Sequence, residues 1–387
     1  MKVRLGDYIE QIRGVSYSPE DLHSALNANS VILLRANNIN DNKINFDDVV
    51  FVDKSKVSKK QYLQEGDILI CASSGSKHLV GKAAYIDKAQ PVTFGAFCKI
   101  VRPKTSIKRY IGYFFESPFY RTRISELSGG ANINNIKNEH IDNLEFELLE
   151  DRTQNDICSK LNKISFIIDK RKQQLEKLDL LVKSQFIEMF GDPVKNDRAW
   201  KLCTLESISD IGSSKRIFER EYVEKGVPFF RTKEVVELSK GEEITTELYI
   251  SKERFREIQK EYGCPTKGDL LISAVGTIGV IWIVDGREFY FKDGNLLQVR
   301  TKLNSQFLKY ILERLIADYK QEMANGTAYA ALTISNLKKM RIINVPIIIQ
   351  NKFASFVEQT DKTKSKIKQS LERFDILKKA LMQKYFG

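Results

Sequence analysis

The residues best suited to metal binding or nucleophilic chemistry are five cysteines and three histidines, and their spacing argues against both. Cys71, Cys98, Cys158, Cys203 and Cys264 form no Cys-x-x-Cys pair, and His23, His78 and His140 never approach them at ligand spacing. The chain is therefore expected to hold no metal and to be a reduced cytoplasmic protein. None of the histidines sits in a local pattern from which a Ser/His/Asp or Cys/His site can be assembled. An amino-directed methyltransferase would need a glycine-rich loop for its methyl donor and an Asn- or Asp-Pro-Pro-aromatic run, and neither occurs. The segment Gly75-Ser76-Lys77-His78-Leu79-Val80-Gly81-Lys82-Ala83 departs from a phosphate loop. It has five residues between its glycines instead of four, and Ala83 where a hydroxyl must reach Mg²⁺. Ala274 to Val280 is expected to be a tight turn leading into a strand at Val280–Val284, not a cofactor cradle. Paired carboxylates such as Asp47-Asp48 and Glu242-Glu243 are expected to be solvated loop charges. No catalytic residue is expected.

Binding chemistry is better represented. Four short segments combine a cation or hydroxyl with amide donors: Arg35, Asn37 and Asn38; Ser73, Ser74, Ser76 and Lys77; Arg231 and Lys233; Ser273 and Thr277. Arg and Asn pair bidentately with guanine and adenine edges, whereas Ser, Thr and Lys more often hold phosphates. These residues are the candidate DNA contacts. Taken singly, each is also compatible with turn chemistry or a solvated charge.

Composition sets the bounds on these readings. The chain has 387 residues, 42% hydrophobic with 8 prolines, enough for two domains with real cores, so disorder as the main state is excluded. Its net charge of +12 favours an anionic partner. That charge is unevenly placed: +2 over residues 1–150, +2 over 151–190, +3 over 191–346 and +5 over 347–387. DNA contacts within the nearly balanced domains must therefore come from local placement of cations. The N-terminal stretch carries no apolar signal region, and no run reaches the ~18–20 apolar residues of a membrane span.

An internal repeat organises the chain. Gln154 to Gly191 aligns without a gap on Gln350 to Gly387 at an offset of 196, with 13 identities in 38 positions. Fainter echoes precede each stretch in the same order. Leu33 to Asn37 faces Phe229 to Lys233, Gly66 to Ile70 faces Gly268 to Ile272, Lys99 to Arg102 faces Gln298 to Arg300, and Ile133 to Ile136 faces Ile334 to Leu337. The aligned stretches have the 4,3 alternation of a coiled-coil seam: Ile157, Leu161, Ile164, Ile168, Leu175, Leu178, Val182 and Met189 in the first, and Phe353, Val357, Ile367, Leu371, Phe374, Leu381 and Tyr385 in the second. Arg171 interrupts the first seam once, and Thr360, Lys364 and Lys378 fall on the second. Each helix would run about 54 Å, and the two most simply pair with each other. Between them, short runs at Val49–Val52, Asp67–Ile70, Gly81–Ile86 and Cys98–Val101 are expected to be strands, and Ser106–Arg123 and Ser305–Met323 helices with their serines as N-caps. The fold class is thus α/β (α+β): domain 1–150, helix 151–191, domain 192–346, helix 347–387.

The run Leu178-Asp179-Leu180-Leu181-Val182-Lys183-Ser184-Gln185-Phe186-Ile187-Glu188-Met189-Phe190-Gly191-Asp192-Pro193, after a Gln-led helix and repeated at residues 350–387, resembles the central conserved region of the specificity subunits of type I restriction–modification enzymes. The resemblance covers the whole chain through its domain–helix–domain–helix order. It implies a non-catalytic DNA reader in which each of two target recognition domains binds one half of a split double-stranded sequence. The antiparallel helices would space the halves and dock two modification subunits. Those partners would carry S-adenosylmethionine, and restriction subunits using ATP and Mg²⁺ would add cleavage; this chain would bind no cofactor. One departure is the absence of a proline before the first Gln, where Leu149-Glu150 stands against Val345-Pro346 of the second copy. A different class of function, a coiled-coil adaptor that binds protein partners, is also compatible with near-neutral domains.

Overall fold

The computed structural model describes residues 1–106, 108–127, 134–324 and 331–387. It divides into two compact units, one of residues 1–172 with 368–387 and one of residues 173–367. Each unit repeats the same pair of four-stranded sheets. In the first unit an antiparallel sheet has the order Ala83–Tyr85, Ile68–Cys71, Cys98–Pro103, Ile9–Arg13. A second sheet has the order Val92–Phe94, Ser30–Leu34, Val50–Asp53, Leu22–His23, its first two strands parallel. The second unit matches these strand for strand with Ile281–Ile283, Leu270–Ser273, Leu296–Thr301, Ser209–Gly212 and with Tyr290–Phe291, Val227–Phe230, Tyr249–Ile250, Tyr222–Val223. Helices segregated from mainly antiparallel sheets make each unit α+β.

The repeated Gly-Asp that precedes the central strand has a physical reason. Gly66 and Gly268 lie in the left-handed region, at φ +88° and +95°, where a β-carbon is costly. Asp67 then closes the turn by accepting from the Gln64 amide, as Asp269 does from the Thr266 amide. Asp67 is fully buried and bonded to Arg102 Nε at 2.7 Å; Arg300 takes the corresponding place beside Asp269 at 3.4 Å.

Two 40-residue helices, Asp151–Phe190 and Ile347–Phe386, carry the seam. In the first unit the early turns of one pack with the last turns of the other: Ile157, Cys158 and Leu161 share a core with Met382, Phe386, Tyr110 and Phe114. In the second unit Val182, Phe186 and Phe190 share a core with Phe353, Val357 and Phe307. Early turns against late ones make the pairing antiparallel. The three polar residues on the second helix's seam have partners. Thr360 donates to the Phe356 carbonyl, Lys364 bonds Asp179 at 2.7 Å, and Lys378 lies 3.6 Å from Glu116.

The start of each helix is fixed by its glutamine. Buried Gln154 donates to the Leu149 carbonyl and buried Gln350 to the Val345 carbonyl, both at 2.7 Å, so the missing proline of the first copy leaves this bond unchanged. Gln350 also accepts from the Asn304 amide. Gln350→Ala takes this partner from the buried Val345 carbonyl and the half-buried Asn304 amide, and is expected to cost about 1–3 kcal/mol in urea unfolding.

Two expected helices differ in detail. The segment Ser106–Arg123 is two helices, Lys108–Glu116 and Pro118–Leu127. Pro118 lacks the amide that a continuous helix needs and instead starts the second one, while Ser117 bonds the Phe114 carbonyl and the Tyr120 amide across the break. Ser106 bonds Asp151 and not the helix; Ile107, like Ile133, lies outside the described residues. In the second unit the helix Ser305–Ala324 is capped by Asn304, whose side chain accepts from the Gln306 and Phe307 amides, and Ser305 bonds the Gly268 carbonyl.

Candidate nucleic-acid interface

In the first unit the serine-rich segment is a loop built on the end of the central strand. Cys71 pairs with Cys98, and the next two amides, of Ala72 and Ser73, both donate to the Phe97 carbonyl at 2.9 and 3.0 Å. The loop closes where the Gly81 amide reaches the Cys71 carbonyl. Gly81 has φ +80°, and a β-carbon there would meet Ile124 at 2.6 Å. Arg121 clamps the far side by donating to the Val80 and His78 carbonyls. Ser73 and Ser74 pair with the strand Asn134–Asn135 and are half-buried, whereas Ser76, Lys77 and His78 are exposed. The following residue, Ile136, donates its amide to Ala72 and gives its carbonyl to buried Lys99, which also bonds Gln11 and Asn138. Burial pushes the Lys99 ammonium down to about 8, against the pull of Asp142, so it stays mostly charged at neutral pH. The result is a rim of hydroxyl donors beside the exposed Lys77, suited to phosphate contact. Burial pushes the nearby Cys71 thiol up to about 11, which removes it as a nucleophile at neutral pH.

The other first-unit candidates gather around Asp48. Arg35 bonds its carboxylate at 2.8 Å and Asn37 does the same. Asn38 is fully buried, accepts from the Arg35 amide and donates to the Asp48 and Asn45 carbonyls. Asn38 therefore cannot reach a base: its amide holds the loop. Asp48, expected as a merely solvated charge, is the anchor of this cluster. Asn37 stays exposed and Arg35 half-buried.

The second unit uses related chemistry. Arg231 is held by Glu234, which accepts from both its amide and its guanidinium and caps the helix Thr232–Ser239, with Glu247 at 3.7 Å. Lys233 is exposed. Ser273 is fully buried, donating to the Thr277 carbonyl and accepting from the Val280 amide, so it too is a turn residue and not a DNA contact. The turn it holds carries Gly276 at φ +73° and Gly279 at φ +85°, and exposes Thr277. The strand beyond it is Ile281–Ile283. Both misplaced candidates are small polar residues whose partners lie several positions away, which composition does not reveal. Conversely, the sequence reading passed over Phe97, a ring 71% exposed beside the serine loop.

Along the helices, Leu161, Ile164, Ile168, Val182, Val357 and Ile367 are buried, and Leu175, Leu178, Leu371, Phe374 and Leu381 half-buried. On the outer surface Leu180 and Leu181 are 61% and 47% exposed, and their counterparts at the repeat offset, Ile376 and Leu377, 68% and 44%. Among the described residues no group of three or more His, Cys, Asp or Glu is placed to hold a metal, and no helix is long and apolar enough to cross a membrane.

Comparison with known proteins places these features. The family described as the type I restriction modification DNA specificity domain matches twice, at residues 2–179 and 197–373. The chain is 40% identical over 173 residues to the type I restriction enzyme StySPI specificity subunit of Salmonella potsdam, and 39% identical over 173 residues to the EcoKI specificity subunit of Escherichia coli K12. Each match takes in 44% of this chain and 37% of the relative, so the aligned part spans well under half of those proteins. The MjaIX specificity subunit of Methanocaldococcus jannaschii is 24% identical over 69% of this chain and 66% of its own. In fold, the chain is similar to the crystal structure of a type I restriction–modification S subunit from M. genitalium, with a TM-score of 0.59 at 15% identity, covering 100% of this chain and 96% of that one.

Proposed function

Since the chain belongs to the family of type I restriction modification DNA specificity proteins, we propose that it is the sequence-reading subunit of such a complex and has no catalytic site of its own. Residues 1–150 and 192–346 act as target recognition domains, each reading one half of a bipartite double-stranded target, and residues 151–191 and 347–387 set the spacing. The observation that carries this reading is the repetition of one scaffold with different loops on it: the two sheets recur in the same order, while the loop after the central strand differs in length and residues. A constant frame with variable loops is what two independent half-sites require. Asn37, Ser76, Lys77, Lys233 and Thr277 are the accessible candidates, with Arg35, Ser73, Ser74 and Arg231 half-buried behind them.

The exposed pairs Leu180-Leu181 and Ile376-Leu377 recur at the repeat offset, which favours docking of two copies of one partner, the modification subunits. S-adenosylmethionine then belongs to those subunits, and ATP and Mg²⁺ to any restriction subunits; the site of action is the cytoplasm. Co-expression with modification subunits followed by methylation-aware sequencing is expected to reveal a bipartite adenine-methylated motif. A single contiguous motif, or none, refutes the reading.

A further inference from the structure

Phe97 is 71% exposed, although Phe94, Phe114 and Phe115 of the same unit are at most 2% exposed. A phenylalanine left in water forgoes a large burial gain, and here the backbone beneath the ring is held in place. Its carbonyl accepts from two amides, those of Ala72 and Ser73, and the next amide, of Cys98, donates to the Gly95 carbonyl at 2.8 Å. Gly95 is itself bridged to Val15. The ring therefore stands on a fixed turn, beside the loop that carries Ser74, Ser76 and Lys77.

The second unit repeats three bonds of this frame. Ala274 donates to the Asn295 carbonyl at 2.8 Å where Ala72 donates to Phe97, Leu332 donates to Ala274 where Ile136 donates to Ala72, and Gly279 donates to Ser273 where Gly81 donates to Cys71. The strand registers agree, with Leu296 opposite Ser273 and Cys98 opposite Cys71. At this position the strand register is shared and the side chain changes from an exposed ring to a half-buried amide. A scaffold position where one reader exposes a large side chain that the other lacks is a place where the two can read different bases. Hydroxyls and a lysine on its flank supply phosphate donors, and in the major groove the apolar feature that a phenyl ring can recognise is the thymine methyl group.

We propose that Phe97 is a specificity-determining residue of the first unit, packing its ring on the 5-methyl group of a thymine in that unit's half-site. This rests on the DNA-reading function above. The test uses the full chain assembled with its modification subunits, on duplexes of the motif found by methylation sequencing. Each thymine of the first half-site is replaced in turn by uracil, which lacks only the methyl group. The wild-type complex is expected to lose about four-fold in affinity at one such thymine, the worth of one buried methyl. Phe97→Ala should bind the thymine and uracil duplexes equally, and Phe97→Asn, which carries the residue of the other copy, should do the same. Unchanged discrimination in the second half-site shows that the variants are folded. The proposal is overturned if the wild type is indifferent to every uracil in the first half-site, if that half-site contains no thymine, or if a folded variant keeps the thymine preference. A wedge between base steps would also appear as indifference to the methyl. Absence of any bipartite motif would instead refute the DNA-reading function itself.

Discussion

Phe190→Ala is expected to lower the unfolding free energy of the second unit by about 3–5 kcal/mol. Phe190 is fully buried where three helices meet, its ring 4.9 Å from that of Phe186, 4.8 Å from Phe307 and 5.6 Å from Phe353. Those neighbours come from the first long helix, the helix Ser305–Ala324 and the second long helix, so the cavity could close only by moving elements that are also pinned elsewhere. The loss comprises the transfer term, the aromatic contacts and an unrelieved void. The measurement is convenient because both tryptophans, Trp200 and Trp282, lie in residues 173–367. Urea unfolding followed by tryptophan fluorescence therefore reports this unit, and a loss below about 1 kcal/mol would contradict the packing described. Phe386 holds the corresponding place in the first unit but is 7% exposed, with Tyr110 as its ring neighbour at 5.1 Å, so Phe386→Ala is expected to cost less.

Asp67→Ala is expected to destabilise the first unit by about 3–5 kcal/mol, because it leaves a charge without its partner in a closed site. Arg102 bonds both carboxylate oxygens, at 2.7 and 2.8 Å, and keeps only the Lys60 and Tyr62 carbonyls when the carboxylate is gone. The Gln64 amide loses its acceptor as well. The matching Asp269→Ala is expected to lose less through its arginine, although it also takes from buried Gln298 the carboxylate oxygen to which it donates at 2.6 Å. Arg300 lies 3.4 Å from Asp269, is 38% exposed, and retains Asp210 and the Cys264 carbonyl. Hydrogen exchange of peptides covering Ile68–Cys71 and Leu270–Ser273 separates the two effects. Unchanged protection of Ile68–Cys71 in Asp67→Ala would show that the ion pair is not what holds this strand.

Much of the fold was legible because the repeat is written in residues with backbone duties. The glycines of Gly66-Asp67 and Gly268-Asp269 are required by positive φ, and the glutamines at 154 and 350 by a helix start that needs a partner five residues back. Such positions tolerate few alternatives and so survive as identities. Strand ends shifted by one or two residues, as at Ile68–Cys71, because hydrophobic runs do not mark where pairing stops. The site was less legible. Asn38 and Ser273 carry donor groups of the right type, but whether a donor faces outward depends on partners such as Asp48 and Val280 that only the folded chain supplies. Phe97 escaped notice for the opposite reason: a phenylalanine three residues after a buried one and next to a strand suggests core, and the turn at Gly95 that lifts it out is set by pairing between strands.

The first unit closes with residues from the far end of the chain: Met382 and Phe386 sit in its core beside Tyr110, Ile157 and Leu161. On the ribosome this inverts the order of maturation. The second unit is contiguous and has all its residues as soon as 367 emerges, whereas the first, although made earlier, holds an open apolar seam until 368–387 arrive. At 5–20 residues per second the wait lasts about 10–40 s. During it the nascent chain exposes a surface that a chaperone or another copy of this chain can occupy, so correct assembly depends on the tail winning that competition.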